Sequence, residues 1–149
     1  MIKVLFGTES GNSEMAADDI SAFLEESGIN SEAIPMDEYD VAELAGEGTV
    51  IVITSTYGEG ELPETTVPFF NALNELKPDL SNLKFLAFGL GDSTYDTYGN
   101  GIDIVTSRLV ELGAKQIGDT GRHDAAKVDP LADVATGWVK SLLSQTAQV

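Results

Sequence analysis

Three apolar runs with almost no alternation, Ile2 to Phe6, Val50 to Thr54 and Leu83 to Phe88, constrain this chain more than any other feature. A strand with one wet face alternates apolar and polar residues, so runs like these belong to a sheet covered on both sides. A weaker run, Lys115 to Ile117, and a poorer one, Ser31 to Pro35, complete a set of five. Helical patterns lie between them. Ala16, Ile20, Phe23 and Leu24 follow the 3.6-residue period, with Gly28 as a stop. Asp40 can cap a short helix through Leu44. Phe69, Ala72, Leu73 and Leu76 share a face; Pro68 fits only the first turn of that helix, which makes Thr65 or Thr66 its cap. Ile102, Val105, Leu109 and Leu112 line another helix, closed by Gly113. The last has Asp129 as cap, Pro130 at its first position, and Leu131, Val134, Trp138 and Leu142 on one stripe.

Strand and helix thus alternate five times with no linker, repeat or low-complexity tract. The pattern predicts one doubly wound α/β domain over residues 1–149, a five-stranded parallel sheet in the order 2-1-3-4-5. Such a fold binds ligands at the carboxyl ends of its strands, beside the switch point between the first and third. That rule selects residues 7–13, 55–63 and 89–101.

The first loop, Thr8-Glu9-Ser10-Gly11-Asn12-Ser13, offers hydroxyls, an amide, a glycine and helix-terminal N–H groups to an anion, without a lysine. It matches neither a triphosphatase loop nor a dinucleotide fingerprint, and Ser13 or Asn12 could equally serve as a plain helix cap. The second runs Ser55-Thr56-Tyr57-Gly58-Glu59-Gly60-Glu61-Leu62-Pro63 and the third from Gly89 through Gly91, Asp92, Tyr95, Tyr98 and Gly99 to Gly101. A lone loop tyrosine usually packs over a neighbouring element, but tyrosines from two converging loops can sandwich a flat ring.

Composition removes several chemistries. With no cysteine, disulfides, thiolate metal sites and cysteine nucleophiles are excluded, and the single His123 cannot form a histidine cluster. The formal charge is -17, most of it in residues 1–75, where sixteen acids face Lys3 alone. Such a surface repels nucleic acid and anionic membranes and steers basic partners; solubility or a salty habitat would account for it as well. No apolar run is long enough to span a bilayer and no signal peptide opens the chain, so the default location is cytoplasmic.

Taken together, Thr8 to Ser13, Ser55 to Pro63 and Gly89 to Gly101 resemble the three FMN-binding loops of the flavodoxin family, in order and spacing along essentially the whole chain. No long insertion interrupts the fifth strand, so the likeness is to the short-chain form. Tyr-Gly-Glu-Gly followed by Leu-Pro is closer to MioC-type proteins and to the flavodoxin-like domains of diflavin reductases, where Tyr57 replaces the tryptophan of many flavodoxins. The resemblance implies a monomeric electron carrier holding one non-covalent FMN. Thr8, Ser10, Asn12 and Ser13, with the backbone of Glu9 and Gly11, would hold the phosphate, while Tyr57 and Tyr95 would cover the two ring faces. The remaining contacts would come from Ser55, Thr56, Glu59, Gly60, Gly89, Gly91 and Tyr98, with Asp92 at the uracil edge and the peptide of Gly99 in the same loop. Gly58 would turn its carbonyl toward a protonated N5, and Asp124 would lie near the dimethylbenzene side.

On this reading the acids Glu59, Glu61, Asp92 and Asp96 disfavour negative charge on the ring and push the couple to low potential. The chain would shuttle single electrons between a basic-surfaced NAD(P)H-dependent reductase and acceptor enzymes, through transient, salt-sensitive complexes, with no catalytic residue or metal of its own. The alternative is a flavin-dependent NAD(P)H or quinone oxidoreductase. A phosphoacceptor signalling domain fits poorly, because Thr8 and Ser10 stand where paired acids are needed. A cofactor-free binding module is a further alternative.

Overall fold

The computed structural model describes residues 2–7, 12–55, 62–91, 100–124 and 131–146. Strands β1 (Ile2–Gly7), β2 (Ser31–Pro35), β3 (Thr49–Ser55), β4 (Lys84–Gly91), β5 (Lys115–Gln116) and β6 (Gly121–Asp124) alternate with helices α1 (Asn12–Glu26), α2 (Thr66–Leu76), α3 (Asn100–Glu111) and α4 (Leu131–Thr146). The sheet runs β2-β1-β3-β4-β5, with β6 also paired to β4, and every pairing is parallel. This is the doubly wound order that the sequence predicts. The expected fifth strand, Lys115 to Ile117, forms as the two-residue β5 paired with Lys84 and Phe85, and a sixth strand that the sequence reading did not predict, β6, pairs with Phe88 to Gly91 on the same flank of β4.

Period-2 geometry divides the strand residues between two cores. Leu5, Val50, Val52, Phe85 and Ala87 face α2, α3 and the short 3-10 turns Met36–Glu38 and Val41–Gly46. Val4, Phe6, Ile51, Ile53, Leu86 and Phe88 face α1 and α4. Because both faces are covered, the strands show no polar alternation, and Val50 to Ile53 are all fully buried.

Local chemistry sets the helix ends. Gly28 (φ 83°) and Gly113 (φ 109°) adopt left-handed backbone, after which Ile29 N–H and Ala114 N–H reach back to Leu24 and Leu109 carbonyls. Asp40 accepts from Ala42 N–H at 3.0 Å, the cap expected of it. At α2 the outcome differs from the sequence reading. Thr65 stands at the cap position but makes no side-chain cap bond; the Pro63 carbonyl takes the Thr66 and Val67 N–H groups instead. The expected cap Asp129 and Pro130 of α4 lie outside the described residues.

Candidate functional site

Since all strands are parallel, their carboxyl ends share one edge. Register places Gly7 beside Thr54, Thr54 beside Gly89, Ser55 beside Leu90, and Gly91 beside Asp124. The chain segments 8–11, 56–61, 92–99 and 125–130 therefore all leave from this edge, and α1, α3 and α4 all begin there. The segments are shorter than the predicted loops 7–13, 55–63 and 89–101, because Gly7, Ser55 and Gly89 to Gly91 belong to strands and Asn12, Ser13, Asn100 and Gly101 to helices.

Of the predicted site residues, Asn12, Ser13, Ser55, Gly89 and Gly91 fall within the described structure, while Thr8, Glu9, Ser10, Gly11, Thr56, Tyr57, Gly58, Glu59, Gly60, Asp92, Tyr95, Tyr98 and Gly99 lie outside it. Ser13 is the most informative of the five. It sits in the first turn of α1, is 0 % exposed, and its Oγ has no hydrogen-bond partner among the described residues. Leaving a buried hydroxyl unpaired costs about 1–3 kcal/mol, which a hydrogen-bonding ligand would recover. The site around it is the start of a 15-residue helix, where free N–H groups and the helix dipole both favour an anion.

Ser55 ends β3, half-buried, beside Leu90. Gly89 sits inside β4 rather than beyond it, and a Cβ there would collide with Ile102, so its bareness lets α3 pack onto the sheet. Gly91 is the last residue of β4, where the chain enters residues 92–99.

Sequence reasoning did not single out the framework under these loops. Thr54 and Thr66, both fully buried, join hydroxyls at 2.8 Å and tie the end of β3 to the start of α2. Gly7 packs under Thr66 with no room for a Cβ. Farther along the edge, Arg122 Nη2 donates to Asp103 Oδ1 at 2.7 Å, joining β6 to the first turn of α3. An open groove of about 550 Å³ between α2 and α3 is lined by Phe70, Asn74, Ile104 and Arg108, whose guanidinium is engaged by Asn74 and Glu111. Among the described residues no acid or histidine cluster could hold a metal ion, and no helix is long and apolar enough to cross a membrane.

A parallel sheet of this order, with α1, α3 and α4 starting at one strand-end edge, defines a flavodoxin-like doubly wound fold. The family model for flavodoxin matches residues 4–138, and the chain belongs to the flavodoxin family of FMN-binding electron-transfer proteins. Among similar proteins, Protein MioC of Escherichia coli is 37% identical over 142 residues, covering 94% of both chains. The sulfite reductase [NADPH] flavoprotein alpha-component of Neisseria meningitidis is 36% identical over 142 residues, which span 95% of this chain but 23% of that one. Among solved structures, oxidised flavodoxin 2 of Bacillus cereus superposes with a TM-score of 0.85 at 27% identity, covering 97% of this chain and 98% of the other.

Proposed function

We propose that this protein carries electrons on one non-covalently held FMN, taking them from a NAD(P)H-dependent reductase and delivering them singly to acceptor enzymes. The observation that carries the reading is Ser13 Oγ, buried and without a partner among the described residues at the start of α1, which follows Thr8 to Gly11 in the sequence. A phosphate monoester suits that place, since its oxygens accept from hydroxyls and from helix-terminal N–H groups without needing a cation. Thr8, Ser10, Asn12 and Ser13 hold the phosphate, with the backbone of Glu9 and Gly11. Tyr57 and Tyr95 would cover the ring, Asp92, with Gly99 in the same loop, would meet its uracil edge, and Gly58 would offer its carbonyl to N5.

When bound, FMN supplies a ring that takes up electrons one or two at a time, and the protein holds that ring and shapes its electrostatics. The phosphate loop adds no positive charge, and Glu59, Glu61 and Asp92 add negative charge around the ring. Both choices disfavour an electron-rich cofactor and lower its potential. The same acids draw in a basic partner, and added salt weakens the complex. No side chain is required as nucleophile, general base or metal ligand.

FMN titrated into cofactor-free protein, followed by quenching of flavin fluorescence, should saturate at one per chain. Stopped-flow mixing of the loaded protein with NADPH alone should give no rapid reduction. Fast reduction without a reductase would establish the oxidoreductase alternative, and failure to take up FMN would overturn both.

A further inference from the structure

Two of the segments that leave the strand-end edge are rooted against one side chain. Gly7 ends β1 and leads into residues 8–11, while Thr54 and Ser55 end β3 and lead into residues 56–61. Thr66, the first residue of α2, meets both roots. Its hydroxyl lies 2.8 Å from Thr54 Oγ1, which in turn donates to the Ser55 carbonyl at 3.2 Å. Its Oγ1 and Cβ also fill the space that a side chain on Gly7 would need, with Met36 Sδ close to the same spot.

Packing alone does not account for a hydroxyl pair here. Leu5 and Val52, which precede Gly7 and Thr54 on the same face of the sheet, are fully buried and apolar, as is Phe69 of α2. An apolar pair of similar shape would fill the place with little change in stability. Hydroxyls add direction, because a hydrogen bond weakens steeply with angle and distance whereas apolar contact is non-directional. The strand ladder holds Thr54 and Ser55 within the sheet, beside Gly7, Gly89 and Leu90. The run from Thr66 through Thr54 to the Ser55 carbonyl acts across the sheet, and fixes the last carbonyl of β3 against the first residue of α2.

We propose that Thr66 is a positioning residue for the flavin site, setting the root of residues 56–61 by its hydroxyl, through Thr54, and the root of residues 8–11 by its bulk, against Gly7. The inference rests on the FMN reading above, in which residues 56–61 serve the ring and residues 8–11 the phosphate. Thr66 is fully buried, so its effect on a ligand passes through these two neighbours. The two contacts have separable consequences. Losing the hydroxyl disturbs the ring side and weakens FMN and riboflavin alike, whereas losing the bulk beside Gly7 disturbs the phosphate side and weakens FMN further.

Dissociation constants of FMN and of riboflavin, read by flavin fluorescence for the native chain and three folded variants, test this. Thr66→Ser keeps Oγ1 and with it both contacts, so it should bind both flavins as the native chain does. Thr66→Val keeps the bulk and loses the hydrogen bond; it should raise both constants by the same factor, about fivefold. Thr66→Ala loses both contacts and should raise the FMN constant by a larger factor than the riboflavin constant. A Thr66→Val chain with a lower urea midpoint but native affinities would make the hydroxyl pair purely structural, and a Thr66→Ser chain as weak as Thr66→Val would assign the effect to the methyl group. Either result overturns the proposal, as would a Thr66→Ala chain in which both constants rise equally. If native protein takes up one FMN while the variants match it, the proposal alone falls; if native protein binds neither flavin, the FMN reading falls with it.

Discussion

The hydroxyls of Thr54 and Thr66 meet at 2.8 Å in full burial, and their proton order follows from a second contact. Thr54 Oγ1 also donates to the Ser55 carbonyl at 3.2 Å, so its proton is committed and Thr66 is the donor between them. Replacing the donor therefore differs from replacing the acceptor. Thr66→Val leaves Thr54 its carbonyl partner and should cost about 1 kcal/mol, whereas Thr54→Val strands the buried Thr66 hydroxyl and should cost about 2 kcal/mol. Gly7→Ala drives a methyl into Thr66 and should cost as much or more, about 1–3 kcal/mol with displacement of the start of α2. Urea unfolding of the three variants checks the order.

Helix α2 ends on a residue that pays no attention to the usual preference for glycine. Lys77 has φ 42° and ψ 56°, left-handed backbone, with its N–H bonded to the Leu73 carbonyl and its side chain exposed. A non-glycine residue there carries about 1–2 kcal/mol of strain, partly offset because glycine has more unfolded-state entropy to lose. Lys77→Gly should therefore stabilise the fold by about 0.5–1 kcal/mol, seen as a higher urea midpoint with an unchanged slope.

Legibility tracked the range of the interactions. Apolar runs and the glycine stops at Gly28 and Gly113 are local signals, and each produced the element expected of it. Strand β6 carried no such signal: Gly-Arg-His-Asp is polar, and it becomes a strand because β4 offers a free flank from Phe88 to Gly91. The α2 cap misled for a related reason, since the Pro63 carbonyl already satisfies the N–H groups that a threonine side chain would have taken. At the site, the strand-end rule located the loops. The Thr54–Thr66 and Arg122–Asp103 contacts bridge 12 and 19 residues and follow from how α2 and α3 dock, which no local spacing encodes.

Tyr39 gives a pH dependence of known sign. Its hydroxyl is buried beside the Glu47 carboxylate without a well-formed hydrogen bond among the described residues, and burial, with the charges of Glu47 and Glu43, pushes the phenol well above its usual range. The unfolded chain then releases this proton near pH 10 while the native chain keeps it, so stability present below that pH is lost as pH rises. The loss stays below the ~1.4 kcal/mol per pH unit that one withheld proton could contribute, because solvent near the ring screens the charge. Tyr39→Phe should be neutral or slightly stabilising at pH 7 and should show shallower alkaline destabilisation than the native chain. A difference curve of unfolding free energy between pH 9 and 11 isolates this group from the other tyrosines and the lysines. Parallel curves would show that the phenol titrates alike in both states.

Ser13 separates ligand binding from folding. Because its Oγ is buried and has no partner among the described residues, Ser13→Ala removes an unsatisfied group and should leave the cofactor-free chain unchanged or more stable by up to about 1 kcal/mol. The same change deletes a hydroxyl donor to the phosphate, and a hydrogen bond to a charged group contributes about 1.5–3 kcal/mol, so FMN affinity should fall roughly tenfold or more. Riboflavin, which has the ring without the phosphate, should bind native and variant chains equally. Thermal unfolding of the free protein and titration with the two flavins together check the assignment. If riboflavin binding fell in parallel with FMN, Ser13 would be supporting the loop rather than holding the phosphate.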